Sequence, residues 1–124
     1  MDHARRVNII PQNFENVLLT INRIKGVKDS LVAGLDGIPI GKIDRESSVL
    51  SASTVAALGA VRELTKTVSY GDLEQLIVET DYGKIIIEEF GTEHVIIILT
   101  EINANIGMIR VMLKKAVRDF TNNK

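Results

Sequence analysis

The chain has 124 residues, 45% of them hydrophobic and 25% charged, with a formal net charge of −1 and no cysteine. That is the size and usage of one globular domain with a real core. We read it as a single unit over residues 1–124, with its core at about 11–120. The near-neutral balance excludes a whole-chain field for nucleic acid or an anionic membrane. The missing cysteines exclude disulfides and thiolate metal sites, which suits a cytoplasmic location. The opening MDHARRVNII has two arginines but no long apolar run, so no signal peptide is expected. The longest apolar run, Val95–Leu99, is five residues. A membrane span needs ~18, so no insertion is expected.

In chain order, Pro11 suits a first helical turn. Phe14, Val17, Leu18, Ile21 and Ile24 follow at helical spacing, and Gly26 suits a left-handed cap. These predict a helix over about 11–25. Two strands then come, over 30–35 and 38–43, joined by Asp36-Gly37. That dipeptide is expected to form a two-residue turn of the mirror-image type, since the turn needs positive φ. Pro39 cannot donate to a ladder, so the second strand is expected at a sheet edge. Asp44-Arg45-Glu46 is a polar exit, and Ser47 or Ser48 is the expected cap of the next helix.

That helix, Ser48–Val68, organises the chain. Advanced at about 100° per residue, it carries two stripes. Leu50, Ala57, Val61, Leu64 and Val68 form one, expected to lie on a sheet. Ala52, Ala56, Gly59 and Ala60 form the other, with Glu63 at its edge. The second stripe holds only small side chains. It is expected to receive a second helix at close range, the same helix of another copy.

Three strand-like runs follow over 72–80, 84–90 and 94–100, separated by short turns at 81–83 and 91–93. Such links make an antiparallel meander. The unbroken apolar run of the last argues for a central strand covered on both faces. A third helix closes the chain, capped by Asn103 or Asn105. Ile106, Ile109, Met112, Leu113, Ala116, Val117 and Phe120 line one side of it. The expected class is α+β: a five-stranded antiparallel sheet in the order helix-strand-strand-helix-strand-strand-strand-helix, with helices on both faces in the dimer.

Several stretches carry a resemblance: Val32-Ala33-Gly34-Leu35-Asp36-Gly37, Ala56-Ala57-Leu58-Gly59 and Gly71-Asp72-Leu73-Glu74-Gln75. Gly83-Lys84-Ile85-Ile86-Ile87 and Asn105-Ile106-Gly107-Met108-Ile109-Arg110 complete it. In their order and spacing they resemble the prokaryotic single-domain type of the Roadblock/dynein light chain family, kin of longin and profilin-like folds. The resemblance implies a homodimer or heterodimer in which the Ala-rich helices pack together and the third strands join two sheets into one. It also implies a partnership with small Ras-like GTPases. The implied interface residues are Ala52, Ala56, Gly59, Ala60 and Glu63 on the helix, and Leu73, Gln75 and Ile77 on the strand after it. It implies no catalytic residue and no cofactor.

A search for chemistry points the same way. Gly37-Ile38-Pro39-Ile40-Gly41-Lys42 departs from the phosphate-loop fingerprint: three residues separate the glycines and Ile43 follows the lysine. His3 and His94 are the only histidines, and neither has a ligand-spaced partner. Glu88 and Glu89 point to opposite faces of their strand. Asp72 and Glu74 share a face and are read as guards against wrong edge pairing. Ser51, Ser53 and Thr54 have no base nearby in sequence. The five scattered aromatics make no base-stacking platform. The expected function is a non-enzymatic, homodimeric interaction domain that binds and regulates a small Ras-like GTPase. Two alternatives stand beside it: a scaffold subunit of a motor, transport or signalling complex without effect on GTP turnover, and a small-ligand sensor. If it stimulates hydrolysis, an arginine finger is one route, with Arg45, Arg62 and Arg110 as unranked candidates; the resemblance does not require one.

Overall fold

A computed structural model describes residues 12–41 and 44–122, the last two for their backbone only. Expectations for His3, Pro11, Lys42 and Ile43 lie outside the described residues. The elements are α1 (Gln12–Asn22), β1 (Val27–Gly34), α2 (Arg45–Thr67), β2 (Leu76–Glu79), β3 (Gly83–Phe90), β4 (His94–Glu101) and α3 (Ile106–Asn122).

The strands form one antiparallel sheet in the order β1-β4-β3-β2. The VIIIL run makes β4 an interior strand, as its continuous apolar character predicts. Val95, Ile96, Ile97 and Ile98 are all fully buried. Because side chains alternate along a strand, Ile96 and Ile98 enter one core with Val32 and Ile86. Val95 and Ile97 enter another with Leu31, Ala33 and Ile87.

The described sheet has four strands, not the expected five. Residues 38–41 return along β1 only as far as a single bridge, Ala33 to Pro39. Pro39 has no N–H to extend the ladder. Two bonds hold this return: Gly34 N–H donates to the Ile38 carbonyl at 2.9 Å, and Ile40 N–H to the Val32 carbonyl at 2.9 Å. The turn also differs from expectation. Gly37 N–H donates to the Gly34 carbonyl at 2.9 Å, closing a three-residue loop over Leu35, Asp36 and Gly37. Gly37 alone of the three has positive φ, +84°. A turn followed by one left-handed glycine suits a three-residue hairpin, whereas the mirror-image turn needs Asp36 left-handed too. The Asp36 carboxylate instead accepts from Ile38 N–H at 3.0 Å.

Helices cover both faces of the sheet within one chain. On one face α1 and α3 bury Phe14, Ile21, Ile109, Leu113 and Phe120 against the strands. Met112, expected in this line, is 37% exposed at its margin. Asn105 caps α3, its side chain accepting from Met108 N–H at 3.0 Å. On the other face lies α2. Its cap is Asp44, not Ser47 or Ser48: the carboxylate accepts from Ser47 N–H at 2.7 Å and from the Ser47 hydroxyl at 3.1 Å. A carboxylate also matches the positive end of the helix dipole, and the helix gains a turn at its start.

Candidate functional site

The site is the outward face of α2 together with the free edge of the sheet. It is set by how α2 rests on the strands. Ser47, Ser51, Thr54 and Leu58 are its buried residues. Their spacing of four, three and four puts them on one line. Three of the four are small hydroxyl residues. Leu50 and Val55 flank the line and pack on the core around Leu58. Arg62, near the other end, forms an ion pair with Glu89 of β3.

This seat overturns one expectation. The Leu50–Val68 stripe does not face the sheet as a whole. Leu64 is 66% exposed and Val68 54% exposed, and Ala57 is exposed as well. Only Leu50 and Val61, at the margin of the seat, are half-buried. Hydroxyl side chains occupy the inner line, so the helix is turned roughly a quarter turn from the orientation that hydrophobicity alone predicts.

The small stripe therefore points away from the sheet. Ala52, Ala56, Gly59, Ala60 and Glu63 are all exposed. A side-chain carbon built on Gly59 meets nothing within 4 Å. Around the stripe stand exposed Val49 and Leu64. At its start, the Gly37 loop closes against Ala52, whose Cα would lie 3.2 Å from a Cβ at Gly37. The outcome is a flat, mostly apolar helix face with no cover among the described residues.

The strand half of the site is shorter than expected. β2 spans Leu76–Glu79 rather than 72–80. It pairs with β3 on one side, and no described strand lies on the other. Leu73 precedes it and packs with Leu76 on the α2 side of the sheet, so Leu73 and Ile77 do not share a face. Ile77 sits opposite Ile86, on the other side. The Gln75 amide donates to the Glu88 carboxylate of β3 at 2.8 Å. Leu73, Gln75 and Ile77 are half-buried. The structure thus packs Leu73 on the core under α2, while Gln75 is tied to Glu88 and Ile77 lies opposite Ile86 on the other face.

The remaining candidates do not converge. Ser51 is fully buried and its hydroxyl has no partner among the described residues, while Ser53 is exposed. His94 lies against the Phe14 ring, centroids 4.8 Å apart, on the sheet face away from those serines. Glu88 and Glu89 do point apart, to Gln75 and to Arg62. Arg62 is occupied by that ion pair, and Arg45 and Arg110 are exposed. Glu74 lies 3.8 Å from Lys114 of α3. No group of three metal-ligating side chains gathers among the described residues. No described helix is long and apolar enough to cross a membrane. A recess of about 470 Å³ at one end of the sheet is lined by Lys25, Glu101, Asn103 and Asn105, all exposed.

This geometry has counterparts. The fold matches that of gliding protein MglB from Thermus thermophilus with a TM-score of 0.78, at 13% identity, covering 94% of this chain and 93% of that one. It matches a structure of MglB with tetrameric arrangement with a TM-score of 0.79, also at 13% identity and the same coverage. In sequence, the uncharacterized protein MJ0310 of Methanocaldococcus jannaschii is 35% identical over 107 residues, 82% of this chain and 91% of that protein. The sequence profile of the Roadblock/LC7 domain matches residues 13–100, from the start of α1 almost to the end of β4. The chain belongs to the Roadblock/LC7 domain family.

Proposed function

We propose that this protein is a non-enzymatic interaction domain that self-associates through α2 and β2 and, as a dimer, binds and regulates a small Ras-like GTPase. The observation that carries the reading is the outward stripe of α2. Ala52, Ala56, Gly59 and Ala60 are exposed side by side, flanked by exposed Val49 and Leu64. Small residues allow two helix backbones to approach closely, and a two-fold axis sets like patch against like. The open edge of β2 supports the same axis, since pairing with its own copy would occupy the free ladder groups. MglB, which shares the fold, adopts a tetrameric arrangement. The GTPase partner and the role without catalysis of its own rest on the family resemblance. The sensor alternative gains no support from the recess at the end of the sheet, whose polar lining is exposed.

The test mixes the purified protein with the Ras-like GTPases of its own cell, one at a time. The reading predicts a complex on gel filtration with at least one of them and an altered GTP hydrolysis rate. It also predicts no nucleotide binding to the isolated protein by calorimetry. Complex formation with an unchanged rate favours the scaffold alternative. Micromolar nucleotide binding by the protein alone contradicts the proposal.

A further inference from the structure

The net charge of −1 conceals a segregation of charge between layers. On α1, α3 and the tail of α1 at 23–25, six cations stand against two carboxylates, Glu15 and Asp119. Elsewhere in the described chain thirteen carboxylates stand against five cations. The positive charge concentrates on the outer side of α3. Arg110, Lys114, Lys115 and Arg118 are all exposed there. Among the described residues, Lys114 and Lys115 have only loose surface partners, Glu74 at 3.8 Å and Asp119 at 3.6 Å. Between these cations stand two bare apolar side chains, Val111 at 68% and Met108 at 53% exposure.

We propose that the outer face of α3 docks the protein on an anionic lipid surface. The inference rests on the dimer reading for its geometry. Antiparallel pairing of two β2 edges about a two-fold axis requires that axis to stand perpendicular to the sheet. Both α2 helices then lie on one side, and both α1–α3 layers on the other. The two cationic helix faces therefore look the same way, across one broad surface. A plane of anionic headgroups complements such a surface, whereas an acidic peptide needs only one helix. Val111 and Met108 provide shallow apolar contact at the headgroup level. The inner side of α3 is already committed to the core, so attraction is chiefly electrostatic. Each cation near an anionic leaflet contributes roughly a five-fold factor in partitioning, and salt screens it.

Vesicle flotation tests this with the native chain. Phosphatidylcholine vesicles containing phosphatidylglycerol should carry the protein at about 0.1 M salt and release it at about 1 M. Pure phosphatidylcholine vesicles should leave it behind. The double variant Arg110→Glu/Arg118→Glu should lose roughly 25-fold or more in partitioning, with circular dichroism and light scattering unchanged. Failure of the native chain to float with anionic vesicles at low salt overturns the proposal, as does a charge-reversed variant that floats like the native chain. Capture of the native chain by polyglutamate but not by vesicles overturns it in favour of an acidic protein partner. Light scattering on the same sample separates the two readings. A chain that floats yet scatters as a monomer refutes the dimer and leaves the lipid face standing.

Discussion

The two faces of the sheet are built from different materials. Under α1 and α3 the core is aromatic and branched. Phe14 stacks on Phe120 at 5.2 Å, Phe90 meets Phe120 at 4.2 Å, and Ile21, Ile109 and Leu113 have no exposed surface. Under α2 the helix offers two serines, one threonine and one leucine, and it leaves Leu64, Val68 and its alanines outside. The first face is closed by the chain's own residues. The second is closed only beneath the helix, and its apolar surplus points outward. A helix with small polar residues inside and small apolar residues outside is suited to contacts on both sides.

The largest effect should come from the closed face. Phe90 is fully buried, so Phe90→Ala should cost about 3–5 kcal/mol by urea unfolding, through lost transfer energy and the cavity left behind. A cost under about 1 kcal/mol would mean that this core is loosely packed. The hairpin that leans on α2 should be next. At Gly37, with φ of +84° and Ala52 at 3.2 Å, a branched side chain meets both strain and a backbone contact. Gly37→Val should cost about 1 kcal/mol or more. An unchanged melting temperature would show that the loop does not constrain the helix. The smallest effect should be at Arg62→Ala. Its partner Glu89 is 40% exposed and Arg62 itself 37%, so solvent screening holds the loss to about 1 kcal/mol or less. A loss of several kcal/mol would place the pair under a cover that the single chain does not supply.

Much of this fold is legible in the sequence because its signals are redundant. The run from Val95 to Leu99 has apolar side chains on both sides of the strand, so it has to be central. The Phe14–Ile24 and Ile109–Phe120 periodicities each mark one buried side, and both are found there. The fifth strand misleads because Ile38, Pro39 and Ile40 have strand composition, yet one missing N–H reduces the return to a bridge. The cap is displaced because Asp44, three residues before Ser47, is the better acceptor at a helix start.

The orientation of α2 is the harder problem. Apolar residues ordinarily mark the buried side, and Leu50, Val61, Leu64 and Val68 invite that reading. Here Leu64 and Val68 lie outside, and the inner line is Ser47, Ser51, Thr54 and Leu58. The available signal is the regular spacing of those hydroxyls with a leucine, which hydrophobicity scales discard. The small stripe itself is legible and does face away from the sheet. The basic face of α3 is invisible in the net charge, and Lys114, Lys115 and Arg118 read in the sequence only as complements to the helix dipole.

The outward stripe is the centre of the account, and Gly59 is its most direct probe. The position is exposed, with open space around it among the described residues, so a lone chain tolerates arginine there and gains helix propensity over glycine. Between two packed helices the same side chain would wedge them apart and bury a charge. Multi-angle light scattering of the native chain, Gly59→Arg and the control Glu15→Arg, on the opposite helix layer, decides between these. The account predicts a dimer for the native chain and for Glu15→Arg at micromolar concentration, and a monomer or aggregate for Gly59→Arg. A native chain that scatters as a monomer, or a Gly59→Arg variant that remains a dimer, contradicts it.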